Sequence, residues 1–333
     1  MSYLLSIIIP VFKAESFIKK CAHSLMQQSL RDLQFIFVDD KGNDESISIL
    51  KEVISEYPAR AKDVLILENS ENLGASESRN VGLQYAEGNY VTFCDADDWI
   101  DADATETLIK HILALDVDIL WTDFFLSHRA TESVQTQRCV ETPEECVKAL
   151  LEERLHGALW NKIYRKELFD SNNIRFPSRR DIWEDLYTNV RLFYFAQTVA
   201  YLPRAFYHYV QYNSASLATI RNEKQLADII ANTQSTIDFL HDVGAEERFK
   251  DQIQILKLAC KQTLLFSTDR KSFRKWRELY PESNDDILRF KQLPLHLRFL
   301  GKAASMKLWP LIDAWIFMKR AKNIFSKSGN IAG

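Results

Sequence analysis

The 333-residue chain is poor in the features that would place it in several common classes. Its five cysteines (Cys21, Cys94, Cys139, Cys146, Cys260) form an odd set with no CxxC pair and no zinc-ligand spacing. That pattern argues against a disulfide framework or a zinc module and fits reduced thiols in a cytoplasm. No uncharged stretch approaches the ~18 residues needed to span a bilayer, so no transmembrane helix is expected. The opening MSYLLSIIIPVF lacks the basic lead and small-residue cleavage site of a secretory leader. Its apolar run has strand length and stops at Pro10. A net charge of −4 gives no basic surface on which to hold nucleic acid. Neither an internal repeat nor a low-complexity segment is present.

What remains is an ordinary globular composition, 46% hydrophobic and 26% charged, in a chain long enough for two structural units. Charge is uneven along it. From Ile287 onward nine Lys or Arg face one acid, Asp313, giving +8 and leaving −12 for the preceding residues. Such asymmetry points to a tail with a partner of its own.

The first 125 residues alternate strand-like and helix-like patterns. LLSIIIPVF, LQFIFVDD, DVLILEN, NYVTFCDADD and VDILWTDFFL suit buried strands. Helical spacing runs through residues 16–28, 45–57, 76–86 and 103–115 between them. This alternation predicts an α/β fold, Rossmann-like, with a mostly parallel central sheet and helices on both faces. Residues 126–142 are polar and suit a loop; helices are expected at 143–155 and 184–196, and short strands at TVAYLP and FYHYVQY. From Glu223 the pattern is helical throughout.

Two of the strands end in acids, FIFVDD and VTFCDADD, and that carboxyl edge is where open α/β sheets bind ligands. Three carboxylates (Asp95, Asp97, Asp98) beside a buried strand are costly unless paired, solvated or bound to a cation. A diphosphate-bound divalent ion needs few protein oxygens, so Asp97 can take the metal while Asp95 reaches a ribose or a metal-bound water. The plain alternative is a turn whose acids face water. Of the other strand end, the Asp39–Asp40 pair suits a nucleobase N–H, while Asp44 suits the cap of the next helix. In ENLGASESRNVG, Gly74 permits a tight backbone, and Arg79 near a helix start suits phosphate oxygens or a surface ion pair.

Several strings occur in one order at close spacing: SIIIPVFKAESFI, FIFVDDKGNDES, NLGASESRNVGLQYAEGNYVTFCDADDW, ALWNKIYRKELF and WEDLYTNVRLF. Over roughly residues 3–217 they resemble the family 2 glycosyltransferases of GT-A fold, particularly bacterial enzymes that build surface polysaccharides such as capsule. The resemblance implies a GT-A domain at 1–220, with a nucleotide-binding half at 1–125 and an acceptor and base half at 126–220. A helical region at 221–333 with a basic amphipathic tail would follow. Pro10, Val11 and Phe12 would line the base pocket, Asp39 and Asp40 would meet the uracil edge, and Asn72, Ala96 and Trp160 would join the donor site. Arg79 would neutralise the diphosphate; Asp95 and Asp97 would form a DxD motif with Mn2+ or Mg2+ on Asp97. The sequence departs from the family strings at Lys13, in place of Asn, and at Lys41-Gly42-Asn43, in place of Gly-Ser-Thr. Both departures lie near the expected nucleotide and weaken the case for uracil.

An acceptor hydroxyl must lose its proton as it attacks, which requires a base. The family's ED pair implies Asp185 in that role with Glu184 beside it; both also suit the first turn of a helix. In ALWNKIY, Trp160 can stack on a sugar, with Asn161 and Lys162 in support, or serve an apolar face. His208 in FYHYVQY is either a metal or phosphate ligand or a packed histidine, and Ser214 and Ser216 would share its loop. The tail LWPLIDAWIFMKRAKNIF, within the basic stretch 287–327, suits a membrane surface, its own domain or a second subunit.

The implied protein is a cytoplasmic or peripheral inner-membrane enzyme. It would move a hexose or N-acetylhexosamine, with inversion, from a nucleotide-sugar, UDP preferred, to a glycan or lipid-linked acceptor. Two rivals stand beside it. A catalytically silent glycan-binding or scaffold protein would bind UDP without releasing it from UDP-sugars. A haloacid-dehalogenase-type phosphatase would use Asp95 as nucleophile, but places a Thr or Val where this chain has Trp99 and leaves Asp39–Asp40 unexplained.

Overall fold

The computed structural model describes the backbone of residues 3–213 and 222–329, and side chains as far as residue 320. Two compact units emerge, one of residues 1–150 with 154–232, the other of 151–153 with 233–333.

The first unit opens with β1 (Leu5–Val11), α1 (Ile18–Met26), β2 (Leu33–Asp39), α2 (Ser46–Ser55), β3 (Val64–Glu68), α3 (Ala75–Tyr85) and β4 (Tyr90–Phe93). It continues with β5 (Trp99–Ile100), α4 (Ala104–Leu115), β6 (Ile119–Ser127), β7 (Glu132–Gln135), α5 (Pro143–Leu151), β8 (Lys162–Arg165), α6 (Lys166–Ser171), α7 (Glu184–Phe195) and β9 (Val199–Val210). The strands join in one mixed sheet in the order β3-β2-β1-β4-β8-β6-β9-β5, with β7 on β6. Strands β3, β2, β1 and β4 are all parallel. Their runs are apolar on both faces because both are covered, and β1 and β2 are buried along nearly their whole length. Cys21, Leu25, Leu50 and Val53 of α1 and α2 pack with Ile7, Ile9, Phe35 and Phe37 in the main core.

Beyond β4 the sheet differs from a simple continuation. The four-residue β8 inserts antiparallel between β4 and β6. Part of the expected loop 126–142 forms β7, which pairs with β6. The two expected short strands, TVAYLP and FYHYVQY, are a single β9 parallel to β6. Its pairing jumps from Thr122↔Leu202 to Asp123↔Ala205, so Pro203 and Arg204 are left out of register. Pro203 has no N–H to give the ladder, and a bulge accommodates it within a continuous strand.

The second unit is helical: α8 (Glu223–Asp242, which begins in the first unit), α9 (Lys250–Lys261), α10 (Arg270–Glu278), α11 (Leu295–Ser305) and α12 (Trp309–Gly329). Lys261 is buried and donates to the carbonyls of Leu279 and Tyr280 and to Asn284 Oδ1, which ties α9 to the segment after α10. No helix among the described residues is long and apolar enough to cross a membrane.

Candidate active site

Register brings the strand ends together. Val11 pairs with Asp39 and Ile8 with Phe93, so residues 10–13, 39–44 and 94–98 share the carboxyl edge of the parallel strands. Backbone bonds hold the loops as they leave: Asp40 N–H to Val11 O at 2.9 Å, Asn69 N–H to Asp39 O at 2.9 Å and Cys94 N–H to Ile8 O at 3.1 Å.

The acids of the DADD turn have three different environments. Asp98 is buried; it accepts from the Tyr207 hydroxyl and the Val210 N–H, both at 2.7 Å. The same hydroxyl accepts the Asp95 N–H at 3.0 Å, so Tyr207 on β9 braces the turn from within. Asp98 is therefore a structural acid. Asp97 is half-buried and accepts from Asn213 Nδ2 at 2.8 Å. Burial and the neighbouring Asp95 hold its carboxyl above the ordinary carboxylate range. Asp95 receives Arg79 Nη2 at 3.1 Å, and Ala96 between them is buried.

Arg79 is the hub of the site. It lies on α3, buried, and its other terminal nitrogen donates to Glu184 Oε1 at 2.7 Å. The guanidinium thus joins the DADD turn to the first turn of α7, with both terminal nitrogens engaged by carboxylates. Burial works against its charge, but Asp95 and Glu184 outweigh it and hold the group firmly protonated. Three acids, Asp95, Glu184 and Asp185, share this one cation. Burial and then Asp185 accordingly push Glu184 up to about 7. Asp185 is half-buried and accepts the Leu186 N–H at 2.7 Å. Desolvation raises its pKa, against the fields of Arg79 and Lys162.

The loop before α3 is built on Asp40. Asp40 is buried and accepts from Asn69 Nδ2 at 2.7 Å and from the N–H groups of Leu73 and Gly74 at 2.8 and 2.9 Å. Its oxygens organise this loop. Asp39 accepts from the Lys41 N–H, and Asn72 is exposed. Gly74 has φ +89°, and a Cβ there would collide with the Asp181 carboxylate. Asp181 in turn accepts the Ser76 N–H at 2.9 Å, and Asn80 holds the backbone of Phe176 through two bonds. Together these contacts seat the segment before α7 on α3, which positions Glu184 against Arg79.

Other expected site residues have different surroundings. The Val11 side chain is in the core, whereas Phe12 is exposed beneath the Lys13 ammonium, 5.3 Å from its ring centroid. Trp160 stacks on Tyr207 with centroids 4.4 Å apart and meets Phe124 edge-on, so much of its ring is committed to packing. His208 lies between Trp99 and Phe125; its ring nitrogens meet Asp101 Oδ1 at 3.0 Å and Glu132 Oε1 at 2.9 Å. Neither nitrogen faces the DADD acids. Lys162 is buried on the carbonyls of His156 and Ala158 and on Asn161 Oδ1; burial lowers its pKa to about 7. Asp44 holds the first turn of α2 through Ser46 and also accepts the Glu15 N–H. Ser214 and Ser216 lie outside the described residues.

A cleft of about 750 Å3 opens beside the turn, lined by Lys13, Phe17, Asn43, Arg129, Tyr212 and Asn213 among others. That volume lies within the range of small-molecule sites, roughly 300–1,000 Å3. Among the described residues no group of three or more His, Cys, Asp or Glu converges to cage a metal ion. Asp95 and Asp97 suit instead the open, oxygen-only shell of a cation that a diphosphate would complete.

Sequence reasoning missed Tyr207, Asn69, Asp181 and Asn213. Tyr207 stands beside His208 in FYHYVQY, but only the histidine drew attention there. Nothing local in the sequence marks the other three.

A parallel α/β sheet with acids on its carboxyl edge, continued by an antiparallel section, is the architecture of GT-A transferases. The family model described as Glycosyl transferase family 2 matches residues 6–180, just over half of the chain. The chain belongs to glycosyltransferase family 2. It is 26% identical over 260 residues to EpsH of Bacillus subtilis strain 168, which carries the name of a glycosyltransferase, covering 74% of this chain and 72% of EpsH. To the glycosyltransferase GlyA of Streptococcus pneumoniae serotype 4 it is 30% identical over 258 residues, 72% of this chain and 35% of GlyA. Among solved structures, S. aureus TarS 1–349 in complex with UDP-GlcNAc superposes with TM-score 0.69 at 18% identity, covering 93% of this chain and 90% of TarS 1–349. The expected family and GT-A fold are thus borne out.

Proposed function

We propose that this glycosyltransferase moves a hexose or N-acetylhexosamine, with inversion, from a UDP-sugar to a hydroxyl of a glycan or lipid-linked acceptor in surface polysaccharide synthesis. The observation that carries the reading is the junction of Asp95, Arg79 and Glu184, which sets the DADD turn and the Glu184–Asp185 pair at one sheet edge. A UDP-GlcNAc complex of a protein with the same fold favours a uridine donor.

In this reading Asp97, with Asp95, holds Mn2+ or Mg2+; that ion supplies Lewis-acid stabilisation of the departing diphosphate. The raised proton affinity of Asp97 fits such a site, since a cation would relieve its repulsion by Asp95. Asp185 takes the acceptor proton. Desolvation makes it a stronger base than a solvated aspartate. Glu184 and Arg79 position it by fixing the start of α7. Attack opposite the leaving group inverts the anomeric carbon in one displacement. Asp40 acts through the loop it organises, and His208 serves packing.

A panel of nucleotide-sugars assayed for metal-dependent UDP release tests the reading. Asp185→Asn should lower turnover by about 10²–10⁴-fold while leaving UDP affinity near wild type. Full transfer by that variant removes Asp185 as base, and UDP binding without release from any donor makes the chain a silent member of its fold.

A further inference from the structure

The last two described helices each bury one apolar face and expose a second. Helix α11 buries Leu297, Leu300, Gly301 and Ala304, and α12 buries Ile312 and Ile316. Among the described side chains these residues mark the core side of each helix. Left outside are Leu295 and Phe299 on α11, Met306 just after it, and Leu311, Phe317 and Met318 on α12, at 56–75% exposure. Spacings of four and seven residues align Leu295, Phe299 and Met306 in one stripe, and Leu311 and Met318 in another. Leu308, also exposed, sits in the short turn that joins them. A helix in contact with water alone carries polar residues on its outer side. Large side chains there call for a partner.

Charge identifies the partner. Residues 270–320 contain twelve Lys or Arg and five Asp or Glu, a net +7. Lys291 and Lys307 are exposed. Arg298, Lys319 and Arg320 donate to the carbonyls of Leu288, Phe266 and Thr268, contacts that fix each group yet leave its charge uncompensated. A second copy laid against this face would bring two net-positive stretches together. An anionic bilayer takes both properties, apolar side chains into the headgroup–acyl boundary and cations onto the lipid phosphates.

We propose that the exposed face formed by α11, its turn and α12 is a docking surface for an anionic lipid bilayer. The proposal uses no residue of the candidate active site and stands or falls apart from the donor and base assignments.

Flotation of the full chain with vesicles tests it. Vesicles of phosphatidylcholine mixed with phosphatidylglycerol should retain the protein, pure phosphatidylcholine should not, and added salt should release it. Lys291→Glu with Lys307→Glu should weaken binding about 25-fold or more, from roughly fivefold per cation. Phe299→Ser with Leu311→Ser should weaken it by about tenfold or more. Both pairs are exposed, so circular dichroism and melting temperature should match wild type. Wild-type binding by either double variant, or no retention on the anionic vesicles, overturns the proposal. A solution dimer that Phe299→Ser with Leu311→Ser dissociates, in a protein that ignores vesicles, assigns the face to a second copy instead.

Discussion

Replacing Arg79 by methionine keeps much of the side-chain volume and removes the one cation that three acids share. The Arg79 and Glu184 side chains are 8% and 9% exposed, so the loss strands a carboxylate out of reach of water. Where Glu184 is ionised, above about pH 7, breaking this buried pair from one side costs about 3–5 kcal/mol, most of it the unpaired charge left behind, and less where the carboxyl is protonated. For a unit of this size that is a fall in melting temperature of roughly 6–20 °C. Adding Glu184→Gln to Arg79→Met removes the stranded charge. The remaining partner, Asp95, is 31% exposed and is better solvated. The double variant should therefore recover about half of the loss or more, and thermal melts of the four proteins give the coupling directly. If the two single losses add to within about 0.5 kcal/mol, Arg79 and Glu184 act independently and the clamp is refuted. A variant that melts like wild type but loses only nucleotide affinity would make Arg79 a diphosphate ligand rather than a brace.

Two further outcomes follow from the same geometry. Glu184 is raised from 4.5 to about 7 in the folded chain, so folding favours its protonated form. Its contribution is fully present below the unfolded pKa and is lost as pH rises through about 7, a decline of about 3 kcal/mol. Urea midpoints between pH 4.5 and 8 should fall more steeply for wild type than for Glu184→Gln, and equal slopes would dismiss the shift. Gly74→Ala meets both an unfavourable φ of +89° and the Asp181 carboxylate. It should cost about 1–3 kcal/mol and lower donor affinity, because the Asp40-bound loop must move; unchanged stability would show that the loop yields freely.

The parallel half of the sheet was legible because β1 and β2 are near-continuous apolar runs, the second ended by Asp39–Asp40. The antiparallel part was not. KIYR is too short to announce a strand, and Pro203 suggested a break where the chain makes a bulge. The candidate site divides the same way. Acids at strand ends are visible in one dimension, since a strand's direction fixes which end faces the ligand edge. Which acid is structural is invisible, because Asp98 is claimed by Tyr207, 109 positions away. Arg79 and Asp40 were singled out in the sequence, yet their partners come from distant segments whose convergence only the folded chain reveals.

The clamp between Arg79 and Glu184 spans 105 positions, and Asn80 reaches 96 positions to Phe176. During synthesis at about 5–20 residues per second, the helix bearing Arg79 waits roughly 5–20 s for the chain that completes its surroundings. Over that interval the guanidinium has only Asp95 of its two carboxylate partners, so the surroundings of α3 are completed late. The transferase edge is thus among the last parts of its unit to set, and a ribosome pausing between these two segments prolongs the time that half-built edge stays open.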